Sequence, residues 1–91
     1  MEDPKVEMTI SCRKLPSKDL LSKCDPVVLV YVKNGRAGTW NLAGQTETQV
    51  DQADPDFRTK ILVDFKYEII QDVKFEVCCE DVILFQFKQF L

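Results

Sequence analysis

Two acidic stretches hold the side chains best suited to chemistry. Asp19 and Asp25 stand six residues apart in the segment Leu15–Pro26, and Glu80-Asp81 follow an alternating segment that ends at Val77. If these segments are loops after two different strands, they can meet at one rim of a sheet. Carboxylates gathered there repel one another until a hard cation neutralises them, and Ca²⁺, which takes six to eight oxygen ligands, suits that role. The bland reading is that they are solvated loop acids, since Asp-Pro is a common turn pair.

The rest of the composition narrows the chemistry. The chain has no histidine, which removes Ser-His-Asp and Cys-His catalysis, histidine general bases and histidine-containing zinc sites. No nucleophile–base pair or phosphate-cradling glycine loop is present, so an enzyme is not expected. Cys12, Cys24, Cys78 and Cys79 have no C-x-x-C spacing, which argues against a four-thiolate zinc site. They are expected as reduced thiols, with Cys12 and Cys78 acting as small core hydrophobes.

Residues 1–50 carry seven Lys/Arg against six Asp/Glu, and residues 51–91 five against nine. No basic stripe of the kind that binds nucleic acid results. The longest apolar runs, Val27–Val32 and Val82–Phe85, fall far short of the roughly 20 residues of a membrane-spanning helix. Met1–Lys5 is acidic and lacks the apolar core of a signal peptide, so a cytoplasmic location is expected.

A period of two dominates the chain and predicts the elements that must hold these groups. Val6, Met8, Ile10 and Cys12 alternate with Glu7, Thr9, Ser11 and Arg13, which reads as a strand with one buried face. Further strands are expected at Val27–Val32, before the tight-turn pair Asn34-Gly35, and at Thr39–Thr48, Lys60–Phe65 and Val73–Val77. Val82–Leu91 is a sixth candidate. Leu15–Asp25 and Val50–Arg58 read as loops, and no amphipathic helix of useful length appears. The expectation is a single all-β domain over residues 1–91, an antiparallel β-sandwich.

The ordered set of segments resembles a C2 domain, most closely the first C2 domain of the copines. Val6–Arg13 matches the opening strand, and Leu20–Pro26 is similar to the family's Ser-Lys-x-Asp-Pro segment. Gln45–Thr48, Asp54-Pro55-Asp56-Phe57, Val63-Asp64-Phe65 and Val73–Val77 follow in the family's order. The likeness covers about residues 5–81, and the tail 82–91 departs from it. It implies a sandwich with six of the eight strands of the family's fold, as in a shortened relative of a longer copine.

The resemblance also implies calcium-dependent docking on anionic phospholipid, with recruitment from the cytoplasm to the plasma membrane when calcium rises. Two first-loop aspartates of the family match Asp19 and Asp25. Of its three last-loop aspartates, the first falls on Cys79, the second on Asp81, and the third has no counterpart. The metal ligands are therefore expected to be Asp19, Asp25 and Asp81, with a weakened site, because Cys79 is a soft ligand for a hard ion. The alternative is a calcium-independent protein-interaction module that has lost its ion site. Leu20 and Leu21 at the loop tip, with Lys23, Lys33 and Arg36, are the membrane-contact candidates. Trp40 is expected as a core anchor, with membrane contact as its other reading.

Overall fold

The computed structural model describes residues 3–17, 23–80 and 82–91. Six strands occur in chain order: β1 (Lys5–Met8), β2 (Pro26–Asn34), β3 (Asn41–Gln45), β4 (Ile61–Asp64), β5 (Gln71–Cys79) and β6 (Val82–Phe90). They form two antiparallel sheets, β1-β4 and β3-β2-β5-β6. No helix occurs among the described residues. This is the antiparallel β-sandwich that the alternation predicts, of the C2-like kind that the resemblance implies.

The central strand shows why. In β2 the residues Pro26, Val28, Val30 and Val32 are buried, while Val27, Leu29, Tyr31 and Lys33 between them are only half-buried. β-branched residues pack well on a pleated surface, and Pro26 costs no ladder bond at the first position of its strand. β2 pairs with β5 along nine residues, from Pro26↔Cys79 to Asn34↔Gln71. Their inner faces meet Ile61 and Val63 of β4, with Leu15 and Phe57 closing the core from loops.

Two glycines serve this geometry. Gly35, at φ 80°, turns the chain after β2 in a conformation other residues adopt only at a cost. A Cβ on Gly44 would stand 3.2 Å from Ile61 Cδ1, so its absence lets β3 approach β4 and join the sheets at that edge. Gln71 ties the sheets by hydrogen bonds: its Nε2 donates to Asn34 Oδ1 and to the Asp64 carbonyl, each at 2.9 Å.

The first strand is shorter than its alternation suggests. Regular pairing with β4 covers Lys5–Met8, after which Ser11 meets Asp56 in an isolated bridge. Beyond Met8 the segment follows a loop instead of a strand: the Cys12 N–H donates to the Pro55 carbonyl and the Phe57 N–H to the Ile10 carbonyl. Proline at 55 cannot donate to a ladder, so the pairing there is interrupted.

The radius of gyration, 14.5 Å, exceeds the roughly 12 Å expected for this length. The two-stranded sheet covers only part of the four-stranded one, and β6 lies at the uncovered edge. Phe85 and Phe87 face the core side of β6, opposite Val77 and Phe75, yet each remains about half exposed. A groove of about 450 Å³ opens there, its walls including Ile10, Cys12, Leu15, Phe75, Phe85 and Phe87.

Candidate functional site

The end of the sandwich where β2 begins and β5 ends gathers three backbone segments. Pro26 and Cys79 are antiparallel partners, so the segment leading into β2 and the turn following β5 lie side by side. A third segment, 49–52, is laced across them. The Gln49 N–H donates to the Pro26 carbonyl at 3.1 Å and the Gln52 N–H to the Cys24 carbonyl at 2.9 Å.

Two carboxylates complete the lacing. Asp25 Oδ1 accepts from the Asp51 N–H at 2.6 Å, and Asp51 Oδ1 accepts from the Lys23 N–H at 2.7 Å. Such charge-assisted bonds are short and strong, and they hold two acidic side chains at one rim. Asp51 and Glu80 both sit in the left-handed region, at φ 53° and 49°. That conformation is uncommon outside glycine and marks tight turns.

A covalent bond closes the same rim. Cys24 and Cys79 form a disulfide, with their Cα atoms 5.6 Å apart. This corrects the expectation of four reduced thiols, and it removes Cys79 as a candidate ligand because its sulfur is already bonded. The cause is register. Cys79 shares the inward face of Val77, two residues on in β5, and the Pro26↔Cys79 pairing brings it beside Cys24. Cys12 and Cys78 remain thiols, half-buried and buried respectively, in the packing roles expected of them. Burial pushes the Cys12 thiol above its ordinary range.

Of the expected metal ligands, Asp25 lies on this rim, whereas Asp19 and Asp81 lie outside the described residues. Among the described residues, no three His, Cys, Asp or Glu side chains gather as a metal site. What the described rim offers a hard cation is two carboxylates, Asp25 and Asp51, each with its Oδ1 already accepting a backbone N–H, short of the six to eight ligands that Ca²⁺ takes. Asp51 was not singled out from sequence. Its only signal there is the run of acids from Asp51 to Asp56, which a loop reading absorbs.

The outer face of the larger sheet forms a second cluster. Lys33 and Lys74 stand 5.2 and 4.9 Å from the centroid of the Trp40 ring, with Lys88 at 5.8 Å. Lys74 also lies 4.7 Å over Tyr31. Lys33 pairs with Asp72 at 3.8 Å and Lys74 with Glu76 at 3.7 Å. A cleft of about 290 Å³ opens between Lys33, Trp40, Asp72, Lys88, Gln89 and Phe90. Trp40 is thus a half-buried platform on the outer face and no core anchor, because it precedes β3 on the side that Tyr31 and Lys33 face.

The remaining membrane-contact candidates divide. Lys23 is exposed at the rim and Arg36 is exposed in the turn after β2. Leu20 and Leu21 lie outside the described residues. Lys74 and Lys88 were missed because each falls on a strand as an ordinary outward-facing charge; only the strand register brings them to Trp40.

Comparison with known proteins gives the fold a context. Residues 6–90 match the family model of the C2 domain. Copine-A of Dictyostelium discoideum is 49% identical over 73 residues, which are 80% of this chain and 12% of that protein. Copine-D of the same organism is 42% identical over 64 residues, or 70% of this chain and 12% of its own length. Copine-B is 34% identical over 68 residues, 75% of this chain and 13% of its own. The chain therefore spans only about an eighth of the length of these relatives.

Proposed function

Since the chain belongs to the C2 domain family, as a copine-type C2 domain, we propose that it docks on anionic phospholipid surfaces under the control of a weak calcium site. Membership supports a membrane- or calcium-binding module in general. The finer reading is supported above all by one observation: Asp25 and Asp51 are held together at the rim where the β5–β6 turn also arrives.

In this reading Asp25 and Asp51 supply hard oxygens, and Asp19 and Asp81 are the further carboxylates proposed from the chain. Calcium would neutralise this cluster and bridge to lipid phosphate, turning a repulsive rim into an attractive one. The rim residues do the preparatory work. The Asp51 N–H orients Asp25, and the Lys23 N–H orients Asp51. Lys33, Lys74 and Lys88 around Trp40 provide the lipid-facing surface proposed to act alongside, with Leu20, Leu21, Lys23 and Arg36 as further contacts. Cationic groups near an anionic membrane are worth about 1 kcal/mol each, less here because Asp72 and Glu76 offset two of the three lysines. The proposed setting is the cytoplasm, with movement to the plasma membrane when calcium rises. The proposed role is binding, with no catalysis.

A calorimetric calcium titration tests the site. The expected dissociation constant is on the order of 10⁻⁴ M or weaker, since few charged ligands remain. Submicromolar binding would contradict it.

The second reading is a calcium-independent interaction module, and the disulfide favours it by taking Cys79 out of the ligand set. Asp25→Asn discriminates. Unchanged binding to vesicles and to protein partners supports the second reading, and loss of calcium-dependent vesicle binding supports the first.

A further inference from the structure

We propose that Cys24 and Cys79 are a reversible dithiol–disulfide clasp that locks the rim, so that the redox state of this pair governs how rigidly the rim holds its carboxylates. The clasp deepens the calcium reading, resting on it only for what the locked rim then binds.

The pair is built by the fold. Two cysteines 55 residues apart are brought to a Cα separation of 5.6 Å by the β2–β5 register, within the range a disulfide spans without backbone movement. Cys12 and Cys78 are left out of the bond, so the chemistry is selective for one pair. Cys24 is fully buried and Cys79 nearly so; exchange therefore requires the rim to open and is expected to be slow.

Its position gives the bond leverage. The bond joins the segment entering β2 to the end of β5, while the Cys24 carbonyl anchors Gln52 and the neighbouring Asp25 anchors Asp51. The bond thus ties two of the three rim segments covalently, and the third, 49–52, is hydrogen-bonded to the stretch of chain that the bond holds. Breaking it frees Cys24, next to Asp25, from its covalent tie to the end of β5, so the stretch that carries Asp25 and receives Asp51 loses its anchor.

The oxidant is a small-molecule disulfide such as glutathione disulfide. One protein thiolate attacks it, forming a mixed disulfide and releasing one glutathione thiolate. The second protein thiolate then displaces the second glutathione. Two protons and two electrons pass from the protein to two glutathione molecules, and the reverse sequence opens the clasp.

The test uses the full 91-residue chain, equilibrated in glutathione buffers of graded ratio, alkylated and mapped by mass spectrometry. Hydrogen exchange and calcium titration follow on both forms. The oxidised form is expected to alkylate only at Cys12 and Cys78, and the reduced form at all four cysteines. Reduction is expected to speed exchange of the Asp51 and Gln52 amides on the order of tenfold, as for a local opening unit that loses its tether. The Val30 and Val73 amides serve as unaffected references. Calcium is expected to bind the oxidised form roughly two- to tenfold more tightly, the gain from ordering about one side chain in advance.

Cys78→Ser is expected to keep the switch, and the double variant Cys24→Ser/Cys79→Ser to behave as the reduced form. If that double variant does not fold, the oxidised and reduced forms of Cys78→Ser carry the comparison. Four alkylated cysteines at every ratio, a bond through Cys78, equal rim exchange in both forms, or equal calcium affinity in both forms would overturn the clasp as a control. Redox-dependent exchange without calcium binding in either form upholds the clasp and removes the calcium reading instead.

Discussion

In the proposed calcium control, Asp25 is the residue on which the response is expected to turn. Its carboxylate accepts the Asp51 N–H, a role that the side-chain oxygen of asparagine can keep. Asp25→Asn is therefore expected to leave the thermal midpoint without calcium nearly unchanged. It should abolish most of the rise that calcium causes, since a ligand that binds only the folded form must raise that midpoint. Paired thermal scans, with calcium and with chelator, check this.

Glu47 makes a different case. It accepts from the Arg58 and Thr59 N–H groups at 2.8 and 3.0 Å and from Gln49 Nε2 at 3.1 Å. These bonds, the Arg58 N–H foremost, hold its carboxyl well below the ordinary 4.5. A carboxylate depressed in the folded state stabilises the fold above its unfolded pKa, and that stability drains away as pH falls below it. Wild-type stability is thus expected to drop as pH falls from about 4.5, with Glu47→Gln showing a shallower drop in denaturant melts.

At the level of elements, all six strands could be read from the chain, though from different signals. Val73–Val77 inside β5 shows the period of two of a half-buried strand, whereas Val27–Val32 inside β2 is a β-branched-rich apolar run before the Asn34-Gly35 turn. Strand ends were harder to place, since Pro55 interrupts the ladder opposite the run from Ile10 to Cys12. The Cys24–Cys79 bond and the gathering of Lys74 and Lys88 with Lys33 around Trp40 could not be read at all. Both depend on which residues face each other across strands distant in sequence, and Cys78 stands beside Cys79 as an equal candidate on paper.

Two measurements test this packing. Ile61 is buried under Gly44. Ile61→Ala is expected to cost about 2–5 kcal/mol in equilibrium unfolding and Ile61→Val about 0.5–1.5 kcal/mol. Gly44→Ala alone is expected to destabilise by crowding Ile61 Cδ1, and less so when combined with Ile61→Val. The disulfide closes a loop across a separation of 55 residues. Its reduction is expected to cost about 2–4 kcal/mol, read as a lower urea midpoint.

For the molecule as a whole, the elongated sandwich separates its two candidate surfaces. The acidic rim lies at one end of β2 and β5, and the lysine face lies on the outer side of the larger sheet. Replacing Lys33, Lys74 and Lys88 together with glutamate is expected to weaken vesicle binding both with and without calcium. Asp25→Asn is expected to remove only the calcium-dependent part. The C2 fold was recognisable from the order of its segments, but the placement of the acidic rim and the lysine face on separate surfaces emerges only when the sheets are assembled.

The most direct test of calcium-controlled docking is co-sedimentation of the chain with phosphatidylserine vesicles, in calcium and in chelator. The account predicts clearly more protein in the pellet with millimolar calcium than with chelator. Equal pelleting in both conditions, or none in either, would contradict it.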